Sequence, residues 1–170
     1  MPDSQPERDG GRRRIDPGAL RNERVDRGPF RAYATLVNKP PRREDGAIQW
    51  LDVAQLIREG LPADAIDRLA ARLDTPQKVI LKVLGTSQRT YERRRRDGRP
   101  LDAAVADRAY RLVKLLAHAE DVFATPELAH DWLRTPNRML GVAPIDILDT
   151  EAGADQVDQI LGRVEHGVYG

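Results

Sequence analysis

Between Thr86 and Gly98 the chain reads Thr-Ser-Gln-Arg-Thr-Tyr-Glu-Arg-Arg-Arg-Arg-Asp-Gly, with five arginines in thirteen residues. At helical spacing Arg89, Arg93 and Arg96 share one face, at i, i+4 and i+7, and Arg94 and Arg95 widen it. Guanidiniums this close repel one another unless something anionic neutralises them. A phosphate backbone does so, releasing counterions as it binds. The alternative is a solvated face whose charges pair with Glu92 and Asp97. Thr86 or Ser87 can cap this helix, Tyr91 anchors it inward, and Gly98 ends it. Gln88 and Arg89 lie nearest its N-terminus, where a recognition helix reads base edges.

Residues that do covalent or metal chemistry are scarce. The three histidines, His118, His130 and His166, lack the i, i+4 spacing of a metal pair. There is no cysteine, so thiolate ligands, thiol nucleophiles and disulfides are excluded. Ser4 and Ser87 are the only serines, one in a polar arm and one at a helix cap. No glycine-rich phosphate loop is present, and the acidic residues near the end follow capping and surface positions. No enzyme, metal or cofactor is expected. His118 reads as a polar boundary residue of a long helix. His130, beside Asp131, reads as exposed. His166 is either a plain surface residue or a contact to a partner.

Charge is distributed unevenly around a net of +1. Residues 1–45 carry 11 Lys/Arg and 8 Asp/Glu, residues 46–119 carry 14 and 9, and residues 120–170 carry 3 and 10. The centre is thus +5 (14 − 9) and the end −7 (3 − 10). Opposite signs on successive segments suggest two kinds of partner. No run approaches the ~20 apolar residues of a membrane span and no secretory signal opens the chain, so a soluble cytoplasmic protein is expected.

The elements that position these groups are helical throughout, so the class is all-α. Residues 1–45, with Arg12-Arg13-Arg14, Gly10-Gly11 and Pro40-Pro41, read as a disordered basic and polar arm. It is either a solvated tail or an arm that brushes nucleic acid. Phe30, Tyr33, Leu36 and Val37 are its exception, a short helical patch that docks on the body. Trp50, Val53, Ala54, Leu56 and Ile57 mark a first helix ended by Gly60. Their apolar surface exceeds what so small a domain covers, which makes them the expected dimer contact. Pro62 opens a second helix with Ile66, Leu69, Ala70 and Leu73. Thr75-Pro76 starts a third with Val79, Ile80, Val83 and Leu84. Gly85 breaks it, and the arginine helix follows, which is the layout of a helix-turn-helix over residues 46–101. Asp102 caps a long linking helix, residues 102–122.

The last stretch, residues 123–170, divides into three short helical pieces. Thr125-Pro126-Glu127 is a cap, a first-turn proline and a first-turn acid, and Leu128, Ala129, Trp132 and Leu133 recur at helical spacing. Asp149 or Thr150 caps the last helix, with Val157, Ile160, Leu161 and Val164 on one stripe. By residue type alone Trp132 reads as core and Pro136-Asn137 as a structural turn. Arg163 to Gly170 shows no obvious cap, yet carries Val168 and Tyr169 between glycines, as expected of a segment that orders on a partner.

This stretch resembles the toxin-binding domain of the MbcA/ParS/Xre antitoxins. The matches are Ala129, Trp132, Leu133, Pro136, Asn137, Pro144, Leu148, Thr150, Gly153, Val157, Leu161, Gly162, Arg163 and Gly167. Ala124 and Val142 stand where the family often has glycine, and Ile145 where it has leucine. Ser87, Arg89, Thr90, Arg93, Arg94 and Gly98 resemble the DNA-binding part of the same family, with Tyr91 in place of the more usual leucine. The matched positions together with the tail give an expected toxin-binding set of Trp132, Asn137, Arg163, His166, Gly167, Val168, Tyr169 and Gly170. The arginine helix and its matches together give an expected DNA-binding set of Ser87, Gln88, Arg89, Thr90, Arg93, Arg94, Arg95 and Arg96. The implied partners are operator DNA and a RES-like (NAD-degrading) or ParT-like (ADP-ribosylating) toxin, in a homodimer or larger assembly. The implied mechanism is a C-terminal segment that plugs the toxin's dinucleotide pocket. The competing reading is a DNA-binding regulator without a toxin, its acidic end used for oligomerisation.

Overall fold

The computed structural model describes residues 28–38 and 50–167. The described elements are α1 (Pro29–Leu36), α2 (Trp50–Glu59), α3 (Ala65–Arg72), α4 (Gln77–Val83) and α5 (Gln88–Arg96). They are followed by α6 (Ala103–Phe123), α7 (Pro126–Arg134), a 3-10 turn (Pro144–Ile147) and α8 (Glu151–Glu165). The described residues contain no strand; Leu61 and Leu101 form a lone antiparallel bridge that ties the entry of α3 to the exit of α5.

Everything is built around α6. Its 21 residues run for roughly 30 Å at the ordinary helical rise. Asp102 caps it by accepting the Val105 N–H, as expected. Leu112, Val113, Leu115 and Leu116 are buried along it, and Ala106, Ala109, Ala117 and Ala119 leave room for neighbours to approach closely. α1, α2, α7 and α8 all pack on this helix. The result is a single apolar cluster from Tyr33 to Leu161. Burying a leucine such as Leu116 stabilises the fold by about 1.5–3 kcal/mol.

Most of the rest of the expected arm, residues 1–27 and 39–45, lies outside the described residues. Inside it, α1 is the expected docked patch: Tyr33, Leu36 and Val37 are buried, and Tyr33 meets Tyr110 edge-to-face at 5.4 Å. Arg68 locks α1 down by donating to the Leu36 carbonyl from Nη2 at 2.6 Å. Leu56 and Ile57, the expected dimer contact, are partly buried against the core. The Trp50 side chain lies outside the described residues.

Two helix starts depart from the expected chemistry: α3 begins at Ala65, with Asp64 at its cap position, rather than at Pro62. Thr75 does not cap α4; its hydroxyl donates to the Leu73 carbonyl at 2.9 Å, and Pro76 occupies the capping position. The cause is the tight turn before it, where Asp74 adopts φ 45° and turns the Thr75 side chain backward.

The two halves are joined by polar contacts as well as by core. Arg134 on α7 donates to the Asp74 carbonyl at 2.9 Å and pairs with its carboxylate at 2.8 Å. Arg72 pairs with Glu120 at 2.7 Å, and Lys82 donates to the Asp146 carbonyl at 3.0 Å. The 3-10 turn therefore sits against α4, the first helix of the helix-turn-helix.

Candidate functional site

Helix α5 begins as its sequence dictates. The Ser87 hydroxyl accepts the Thr90 N–H at 3.1 Å and donates to the Thr90 hydroxyl at 3.0 Å. Ser87 and Thr90 thereby satisfy one of the orphan donors at the helix start. Gly85, at φ 63°, makes the turn from α4.

Tyr91 is the inward anchor, at 2% exposed. Its hydroxyl donates to Asp67 of α3, lying 2.8 and 2.9 Å from the two carboxylate oxygens, and accepts from Arg95 at 2.7 Å. Gln77 of α4 donates to the same carboxylate at 2.6 Å, and Arg95 pairs with it at 3.1 Å. Asp67 is therefore the hub that fixes α5 against α3 and α4. Burial, and then the adjacent carboxylate, push the Tyr91 hydroxyl above its ordinary range.

This arrangement sorts the arginines. Arg95 folds back onto Asp67 and lies 5.8 Å from the Tyr91 ring centre, so its charge is already engaged. Arg96 meets Asp97 at 3.4 Å while staying exposed, and Gln88 donates to Glu92 at 2.9 Å. Arg89 and Arg93 are exposed without an ion pair among the described residues. With Arg96 they occupy the side opposite Tyr91, facing solvent together. Arg94 is half-buried and borders an open cleft of about 380 Å3 with Pro62, Asp64, Arg99 and Pro100. An outward cationic stripe on a helix clamped from behind carries a positive potential that attracts anions.

The acidic end is organised differently. Trp132 is half-buried against Phe123, ring centres 5.4 Å apart. Asn137 shapes the loop after α7. Its side-chain oxygen accepts the Met139 N–H at 2.8 Å, its carbonyl accepts from Leu140 and Gly141, and its own N–H donates to Val142. Leu128, expected on the apolar face of α7, instead points outward: it is 55% exposed. Only the Ala129–Leu133 side of that helix is covered by α6. His130, expected on the exposed side, is mostly buried and lies 3.3 Å from Glu120. His118 sits at a polar boundary as expected, 2.9 Å from Asp158 and 3.6 Å from Glu165.

The C-terminal segment begins later than its composition suggests. Thr150 caps α8 by accepting the Gly153 N–H, and the helix runs through Arg163 and Val164 to Glu165. His166 caps it, with Nδ1 at 2.7 Å from the Gly162 carbonyl, and Gly167 turns the chain at φ 67°. That left-handed turn is the usual helix terminator. Arg163 is exposed on the last turn; Val168, Tyr169 and Gly170 lie outside the described residues. The role of Asp67 was not legible in the sequence. Asp67 meets Tyr91 across 24 residues, and nothing local marks that pairing.

No helix among the described residues is long and apolar enough to cross a membrane. Residues 52–114 match the antitoxin Xre-like helix-turn-helix domain, and residues 118–167 match the antitoxin Xre/MbcA/ParS C-terminal toxin-binding domain. A protein called Antitoxin Xre from Photorhabdus laumondii is 35% identical over 115 residues, which cover 66% of this chain and 78% of that one. The Prs ADP-ribosylating antitoxin of a Sphingobium species is 29% identical over 165 residues, 91% of this chain and 98% of that one. An Antitoxin Xre from Yersinia enterocolitica is 35% identical over 116 residues, 66% of this chain and 78% of that one. With both domains matched in order and such relatives along most of its length, the chain belongs to the Xre/MbcA/ParS family of antitoxins, toxin–antitoxin proteins that place a helix-turn-helix ahead of a toxin-binding domain.

Proposed function

We propose that this antitoxin binds its own operator through α5 and blocks the dinucleotide pocket of a RES-like or ParT-like toxin with its C-terminal segment. The observation that carries this reading is the separation of charge along the chain. Arg89, Arg93 and Arg96 face solvent at one end, whereas residues 120–170 hold ten acidic residues against three basic ones at the other. A toxin that takes an anionic dinucleotide needs a cationic pocket, to which an acidic domain is electrostatically suited. The Sphingobium relative carries ADP-ribosylation in its name, which supports the ParT-like class of partner. On DNA, Gln88 and Arg89 reach base edges near the helix start, while Arg93, Arg94 and Arg96 contact phosphates. Ser87 and Thr90 serve by fixing that helix start, and Arg95 by holding α5 in place. A two-fold operator calls for a protein dimer.

Two experiments test the reading. Co-expression with the product of the neighbouring reading frame should restore growth to cells that the product alone arrests. Failure of the intact chain to do so would leave a regulator without a toxin. Replacing Arg93 and Arg96 with alanine should lower the log–log salt slope of promoter binding by about 0.9 for each lost phosphate contact. An unchanged slope would make these arginines a solvated face.

A further inference from the structure

We propose that the toxin docks on the outer side of α7 and on the loop that follows it, with Leu128, Met139 and Val142 as its apolar anchors. This rests on the reading above that the partner is a toxin, and adds a body contact to the C-terminal segment. Among the described residues these three are the large hydrophobic side chains left exposed, at 55%, 55% and 40%. All lie within residues 118–167 and none within the helix-turn-helix. A single exposed leucine would mean little. Here, however, the loop is constructed to hold its apolar residues outward. Asn137 collects the Met139, Leu140 and Gly141 N–H groups on its two oxygens and returns its own N–H to Val142. Leu140 tucks against the core while Met139 and Val142 stay in solvent. A loop already ordered loses little conformational freedom on binding, and methionine is enriched at interface centres.

The surrounding charge says what covers it. Glu127 flanks Leu128, and Asp149 and Glu151 follow the loop, all exposed; Asp131 is already paired with Arg134, Lys82 sits at the Asp146 carbonyl, and Arg138 is exposed beside Met139. Arg134 is already committed to Asp74 and Asp131. An apolar centre with an acidic rim fits a partner whose apolar surface has a basic rim. A second copy of this chain would oppose acid to acid at the same face.

The test uses the full chain and the product of the neighbouring reading frame, purified in an inactive form. Leu128→Ser with Met139→Ser should weaken binding at least tenfold, while melting temperature and promoter binding stay as in the wild type. Asn137→Ala should weaken it as well, and Asn137→Asp, which keeps the acceptor for Met139, should restore most of it. Full affinity in the double variant, with loss of binding only on deletion of Val168–Gly170, would overturn the body contact and leave the antitoxin reading standing. A wild-type chain that binds none of this product would remove the toxin partner itself. A dimer that dissociates in the double variant at unchanged toxin affinity would also overturn the proposal, because the face would then be a self-contact.

Discussion

Replacing Tyr91 by phenylalanine tests how α5 is held. The ring stays packed and only the hydroxyl is lost, with its bonds to Asp67 at 2.8 and 2.9 Å and from Arg95 at 2.7 Å. Hydrogen bonds to charged groups contribute about 1.5–3 kcal/mol. Asp67 keeps Gln77 and Arg95 as partners, and its side chain is 36% exposed, so its carboxylate is not stranded. The loss should therefore lie at the lower end, about 1.5 kcal/mol. For a chain of this size that lowers the melting temperature by roughly 3–6 °C. Circular dichroism on heating reads the stability, and fluorescence anisotropy with promoter DNA reads the function. Binding should weaken, because Arg95 and the helix behind it lose a fixed seat. The pH dependence has a definite sign. The folded hydroxyl titrates above its unfolded value, so its contribution is fully present below pH ~10 and is lost as pH rises through the folded value. Tyr91→Phe should flatten part of that alkaline decline. A melting temperature within about 1 °C of wild type, at every pH, would refute the clamp.

The other predictions concern single positions. The Tyr33 hydroxyl is buried without a hydrogen-bond partner among the described residues, and burial followed by Asp107 pushes it up to about 12. Tyr33→Phe should leave stability unchanged or raise it by about 1 kcal/mol, and should remove the loss expected between pH ~10 and the folded value; chemical unfolding at pH 8 and 11 checks both. A Cβ on Gly153 would meet the Ile147 carbonyl at 1.9 Å. Gly153→Ala should therefore cost about 3 kcal/mol or more in denaturant unfolding, and an unperturbed midpoint would contradict the close approach of α8 to the 3-10 turn. Ala124 ends α6 at φ 63°, a conformation that costs a non-glycine residue about 1–2 kcal/mol. Ala124→Gly should raise stability by about 0.5–1 kcal/mol, part of the relief being offset by unfolded-chain entropy; a lower melting temperature would count against that strain.

What the sequence revealed was what local chemistry decides. Ser87, Asp102, Thr125 and Thr150 each cap the helix they precede, because an oxygen one step before a helix has a backbone N–H within reach. Gly60 and Gly85 end helices because they take positive φ, and apolar stripes identified α2, α3, α4, α6, α7 and α8, whereas α5 was read from its cap, its arginines and Gly98. The misreadings came from tertiary neighbours. Leu128 shares the helical spacing of Ala129 and Leu133, but among the described residues no element lies over its flank. His130 looked exposed beside Asp131, yet Glu120 reaches it from α6. Arg95 is indistinguishable from Arg93 by period and charge; a carboxylate 28 residues earlier separates them. Glycines and an absent cap made Arg163 look like tail, although the helix supplies its own end through His166 and Gly167.

The plug mechanism is most directly tested by steady-state inhibition of the toxin produced by the neighbouring reading frame, with NAD varied at several fixed concentrations of this chain. Inhibition competitive with NAD is expected, strong for the full chain and much weaker after deletion of Val168–Gly170. Inhibition independent of NAD concentration, or undiminished in the deletion variant, would contradict occupation of the dinucleotide pocket by the C-terminal segment.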